Sequence, residues 1–308
     1  MPSIQFPPSR PVSRRPAALM SAVAGAAVAL SVLAAPATVG TARAADPEAA
    51  KAVETGASCR FCDLRYLKLE RCDLSDQDLS GAFIFSADFL DCRMRNTNLD
   101  SSNLALADFR DSDLKGAKLA RAQIENAAFT DSDMSDTDMS FVFAPGAEFD
   151  RVNLSGATLS AGELAGVRFV KVNAAWTDFR SADLRGAWMA DSVLSNANLD
   201  GADLSGANMR GVDLTGASLS GANLSGADLS GSLLQSTDLS DANLTGVKCL
   251  RCKFILTDVR HADFTGADLS GASFESVIDQ ETNICGAKMP DGSLGECAGQ
   301  NVQPKPDN

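Results

Sequence analysis

The chain has 308 residues, a formal net charge of −13, one His, one Tyr and two Trp. That length allows one or two ordinary domains, and so few catalytic side-chain types argue against an enzyme. The acidity disfavours nucleic acid and anionic membrane as ligands.

Residues 1–44 read as a secretory signal. Arg10, Arg14 and Arg15 make a basic start, an Ala-rich apolar run follows from Ala17 to Ala35, and Ala42-Arg43-Ala44 fits a small-x-small cleavage site. Pro36 interrupts the run, which suits a signal better than a span. Ser13-Arg14-Arg15 fits a twin-arginine start, but Pro16, Ala17 and Ala18 lack a bulky apolar pair, so that route and the general one both stand. Cleavage near Ala45 removes four Arg and no acid, leaving 23 basic residues against 40 acids, or −17. The expected location is periplasmic or secreted, with no membrane contact after cleavage. Residues 45–58 follow as an N-terminal cap. In it, Asp46-Pro47 reads as N-cap and first helical position and Gly56 as a stop, giving a short helix over 46–56.

From Leu64 to Phe274 every fifth residue is Leu, Ile, Phe, Met or Val, except Ala144, Ala174 and Cys249. The residue two before each of these centres is small, apart from Leu67 and Gln77. The one just before is often Asp or Asn, as in Asp203, Asn208 and Asp213. Period five is neither the 3.6 of a helix nor the 2.0 of a flat strand. It needs a chain that turns every five residues and alternates a large and a small residue inward, so that a narrow interior fills without voids. Stacked coils then pair as parallel strands around a continuous core.

These residues resemble the pentapeptide-repeat family, whose motif is A-[D/N]-L-x-x. The resemblance implies an all-β fold: a right-handed quadrilateral parallel β-helix over residues 59–274, with four pentapeptides per coil. Residues 20 apart should therefore stack, which sets Phe89, Phe109, Phe129, Phe149 and Phe169 in one structural ladder. Residues 275–297 lose the repeat and read as the C-terminal cap, and residues 298–308 as a disordered tail. Cys285-Gly286 and Met289-Pro290-Asp291-Gly292 resemble the tails of some exported family members.

The eight cysteines are even in number, and export permits disulfides. Cys285 and Cys297 flank a turn-rich segment and are candidates for a bridge closing the C-terminal cap. Cys59/Cys62 and Cys249/Cys252 are C-x-x-C pairs pointing inward across a corner. They lie far too many coils apart to share a zinc ion, and a thioredoxin-like reading lacks its βαβ setting. They read as local disulfides or small core residues. Cys72 and Cys92, 20 apart, suit a bridge by distance but not by direction, so free thiols stand beside it. His261 falls at an outward corner with no nucleophile beside it. No metal or cofactor site is expected; Asp and Asn serve turns and solubility.

Phe83, Phe85 and Phe143 break the polar exterior on one side, with Phe141 at its corner; Trp176 and Trp188 fall on other sides. They either cover gaps beside the weak centres Ala144 and Ala174 or form a patch for a protein partner. The function expected is a non-enzymatic exported scaffold or protein-interaction module with an acidic rod-like surface. The partner's identity and the oligomeric state are left open. The alternative rests on the resemblance: some cytoplasmic members are acidic DNA mimics that protect topoisomerases such as gyrase. The charge fits that alternative; the signal does not.

Overall fold

The computed structural model describes residues 45–297. The expected signal peptide (1–44) and tail (298–308) lie outside the described residues.

Each pentapeptide repeats one backbone path. The residue before each centre bridges in parallel to the residue 20 further on, from Asp63 with Phe83 to Asp268 with Lys288. Four pentapeptides therefore close one coil, and the fold is a four-sided parallel β-helix. Short pieces of this ladder are full strands. β1 (Lys68–Glu70) pairs with β2 (Asp88–Leu90), and β3 (Leu233–Gln235), β4 (Lys253–Ile255) and β5 (Ser273–Glu275) form a second parallel set. Coil-to-coil bonds are regular, as in Leu64 N–H to Phe83 O at 2.8 Å and Phe83 N–H to Cys62 O at 2.8 Å.

The corners explain the period. Every fifth residue from Phe61 to Gly286 is left-handed, with φ between 52° and 79°. Glycine reaches this region freely, and Asn and Asp more readily than other residues. The Asp or Asn before each centre serves the next turn. Asp203 Oδ1 accepts from Ser205 N–H at 3.0 Å and also from Asn223 Nδ2 of the following coil at 3.0 Å. The preference for Asp and Asn at that position is thus an intra-coil turn and an inter-coil ladder at once.

Inside, the large and small positions are almost uniformly buried. The rings of Phe89, Phe109, Phe129 and Phe149 stack in sequence, with centroids 5.1–5.3 Å apart, and Phe169 follows at 4.9 Å, tilted. Where the small residue is Ser or Thr, its hydroxyl is satisfied by the backbone. Ser112 Oγ donates to Phe89 O at 2.7 Å and accepts from Cys92 N–H at 3.0 Å. Such pairing is what permits hydroxyls inside an apolar column.

Helix α1 (Pro47–Glu54) precedes the coils. Asp46 Oδ1 accepts from Glu48 N–H at 3.0 Å, Asp46 N–H donates to Asp63 O at 2.9 Å, and Val53 is buried. The helix is shorter than the 46–56 expected, because Thr55 and Gly56 close its last turn.

At the other end the coil outlasts the periodicity. Asp258 bridges Ile278, Asp263 bridges Asn283 and Asp268 bridges Lys288, and Ser276, Glu281 and Gly286 keep the left-handed corners. The boundary expected at Phe274 therefore moves. Backbone pairing carries the path onward although Asp279 takes an inward position that is Val259 one coil earlier. Only then does the chain reverse, with Lys288 bridging Leu294 in antiparallel fashion.

Candidate functional site

The corner geometry decides which side chains face solvent. A left-handed residue carries its side chain outward, and in the first coils several of these corners are apolar. Phe61 and Phe141 lie in one corner column, 67% and 57% exposed. Phe83 and Phe143 lie on the adjoining face, with Asn103 and Gln123 between them in an unbroken parallel ladder. Three coils separate the two rings, roughly 14 Å at the usual spacing of parallel strands. Phe85 is half-buried and meets Tyr66 edge-on at 5.9 Å. Leu106 is also exposed at the far corner of this side.

Arginines stack on the corner rings: Arg60 over Phe61 at 5.6 Å and Arg121 over Phe141 at 5.4 Å. Residues 60–66, 80–86, 100–106, 120–126 and 140–146 make up this flank. In them Arg60, Arg65 and Arg121 stand against Asp63, Asp100 and Glu125. The flank is formally neutral in an otherwise acidic chain. Arg65 pairs with Asp63 at 2.7 Å, and this carboxylate raises the guanidinium's pKa.

Phe83, Phe141 and Phe143 thus share one exposed flank with Phe85 at its margin, and Phe61, Tyr66 and Leu106 join it. These last were missed because a corner position reads as a turn residue; an apolar side chain at such a position is the signal that finds them. Trp176 and Trp188 lie elsewhere, both exposed. Ala144 and Ala174 are buried, and Phe141 and Trp176 are more than half exposed.

The cysteines pair as Cys59–Cys62, Cys72–Cys92, Cys249–Cys252 and Cys285–Cys297, with Cα atoms 5.7, 4.6, 5.3 and 4.2 Å apart. The Cys72–Cys92 pair, left open by sequence, joins two successive coils. Among the described residues no group of His, Cys, Asp or Glu could hold a metal ion, and no helix is long and apolar enough to cross a membrane. His261 is exposed, its Nδ1 3.2 Å from Glu281.

Acids just before the centres occupy all four faces: Asp183 and Asp203, Asp88 and Asp108, Asp113 and Asp133, Asp238 and Asp258. Many are paired locally. Asp178, Asp183 and Asp258 are held below the usual carboxylate range chiefly by side-chain hydrogen bonds from Arg180, Arg185 and Arg260.

A family profile for pentapeptide repeats matches in 8 copies, over residues 57–89, 85–116, 107–142, 147–186, 177–216, 213–248 and 252–290. Among solved structures, HetL is 22% identical. It is a pentapeptide repeat protein involved in heterocyst differentiation regulation, from the cyanobacterium Nostoc sp. strain PCC 7120. The match covers 82% of this chain and 100% of HetL, with a TM-score of 0.38. QnrB1, a plasmid-mediated fluoroquinolone resistance protein, is 21% identical in a trypsin-treated variant form, covering 69% of this chain and 91% of its own, with a TM-score of 0.41. A pentapeptide repeat protein of the Arabidopsis thaliana thylakoid lumen is 28% identical over 43% of this chain and 68% of its own, with a TM-score of 0.14. A comparison with curated protein sequences gives no match.

Proposed function

The chain belongs to the pentapeptide-repeat family, and we propose that it is an exported, non-enzymatic scaffold that engages a protein partner through the aromatic flank of its first coils. The single observation that carries this reading is the set of exposed rings Phe61, Phe83, Phe141 and Phe143 on one formally neutral side. Exposed aromatic residues in register, with arginines over Phe61 and Phe141, supply large rigid contact area and cation–π partners, the features over-represented at binding hot spots. A rigid stack of coils holds them at fixed spacing without a folding step on binding.

Within this proposal, α1 closes the N-terminal end of a right-handed solenoid and the Cys285–Cys297 pair pins the chain reversal at the other. The signal sequence delivers it to the periplasm or beyond, where the four cysteine pairs persist as disulfides. The DNA-mimic alternative is less well supported. Acids spread over four faces and paired with arginine suit solubility better than imitation of one phosphate-lined groove.

The test is a matched pair of baits incubated with extract from the protein's own compartment: the wild type and a Phe83→Ser/Phe141→Ser/Phe143→Ser variant of equal melting temperature. A partner retained by the first and lost by the second is the expected result. Equal retention by both baits overturns the assignment of the flank. Intact-mass analysis of the functional protein that returns residues 1–308 overturns export. Salt-sensitive inhibition of gyrase supercoiling overturns the scaffold reading in favour of mimicry.

A further inference from the structure

At the last coil a carboxylate breaks the repeat rule. Leu199, Leu219, Leu239 and Val259 stack in one inward column, all buried, and the next residue in that column is Asp279. The bridge from Asp258 to Ile278 fixes the register, so Asp279 stands where the interior calls for an apolar side chain. Among the described residues no further coil follows to cover it. The result is a cavity of about 230 Å³ at the C-terminal end. Val259, Phe264 and Leu269 form its buried floor, and Phe274, Val277, Ile284 and Met289 its apolar wall. Asp279 and Thr282 are its polar members. The Thr282 hydroxyl is already used, donating to Val259 O at 2.7 Å. Asp279 forms no ion pair among the described residues. Phe274 stacks on Phe254 with centroids 4.7 Å apart and is 42% exposed.

We propose that this cavity binds a small amphipathic organic cation: one ring or a compact alkyl body carrying an ammonium group. Three features select that class. An apolar cavity of about 150 Å³ is enough to take benzene, so the space here suits a single ring. The one uncommitted polar group of the lining is a carboxylate, which complements a cation and repels an anion. The exposed ring of Phe274 adds an aromatic surface on which an ammonium is favoured. A neutral apolar body would gain the floor and wall but leave Asp279 without a partner, and a carboxylate ligand would meet it as a like charge. The site is separate from the aromatic flank, and neither reading depends on the other.

The experiment titrates the purified protein with 2-phenylethylammonium, 2-phenylethanol and phenylacetate. It is followed by calorimetry and by methyl NMR of Ile284 and Met289, with Ile84 and Met94 as internal controls. The expected result is saturable one-to-one binding of the ammonium with shifts at Ile284 and Met289 and none at the controls. Affinity for 2-phenylethanol should be about fivefold weaker and phenylacetate should not bind. Asp279→Asn should erase the preference for the ammonium over the alcohol. Ile284→Trp, which fills the space from its wall, should abolish both. If Ile284→Trp unfolds the last coil, Asp279→Asn alone still decides, because its side chain is exposed and its shape unchanged. Absence of shifts at Ile284 and Met289, equal affinity for ammonium and alcohol, or a preference that survives Asp279→Asn overturns the proposal.

Discussion

The coils around Ala197–Ser230 and those around Cys59–Ala144 follow the same backbone path with different corners. In the first set the corners are Gly201, Gly206, Gly211, Gly216, Gly221 and Gly226. In the second they include Phe61, Leu106, Arg121 and Phe141, also left-handed at φ of 56–60° against 63–70° at those glycines. A non-glycine residue there costs roughly 1 kcal/mol or more in backbone strain. From Leu74 onward the inward columns of the early coils are as buried as those around Ala197–Ser230, so one kind of interior accommodates both kinds of corner. The early coils accept that strain and in return carry side chains a glycine corner cannot offer.

The comparison breaks first if the interior does not govern. We predict that Phe129→Ala, from the early coils, destabilises by about 3–5 kcal/mol, and Leu224→Ala, from the glycine-cornered coils, by about 2–5 kcal/mol. Chemical denaturation would measure both; a loss under about 1 kcal/mol in either region would show that coils, not columns, are the stabilising unit. The next test separates strain from crowding. A Cβ on Gly206 meets open space, whereas one on Gly216 would lie 2.6 Å from Asn196 Oδ1. Gly206→Ala should therefore cost about 1 kcal/mol from φ alone, and Gly216→Ala should cost more; equal values would mean that Asn196 gives way freely.

Phe141→Gly should change stability by less than about 1 kcal/mol, because relief at the corner is offset by greater freedom of the unfolded chain. A large destabilisation would assign Phe141 to packing rather than display. The smallest effect is with pH. Asp178, Asp183 and Asp258 have folded pKa values lowered by their arginine partners. Their stabilisation is fully present above the unfolded value, about 3.9, and is lost as pH falls through the folded values. Melting temperature should stay level from neutrality to about pH 5 and fall below about pH 4. The combined variant Arg180→Gln/Arg185→Gln/Arg260→Gln should show a shallower acid limb.

Much of this was legible in the sequence, for a physical reason: a narrow interior permits few side chains, so the inward positions from Leu64 to Phe274 announce themselves. What was illegible depends on backbone rather than burial. The coil runs on to Lys288 because hydrogen bonds and corners persist where Asp279 breaks the apolar pattern. Non-glycine corners such as Leu106 give no signal of left-handedness by residue type; only an apolar side chain at the turn position of the repeat points to them. The Cys72–Cys92 pairing turns on the direction of two Cβ bonds, which spacing alone does not set.

The parallel register of 20 has a consequence for how such a gene can change. Duplicating or deleting 20 codons adds or removes one storey and leaves every later residue facing its former direction. Losing five codons preserves the inward pattern but turns everything downstream by a quarter, so that Trp188 would follow a column it does not now belong to. Length can therefore drift by storeys while the compass bearing of each surface feature is inherited intact. Any lineage keeping the Phe83–Phe143 alignment is bound to change the segment between them in whole coils.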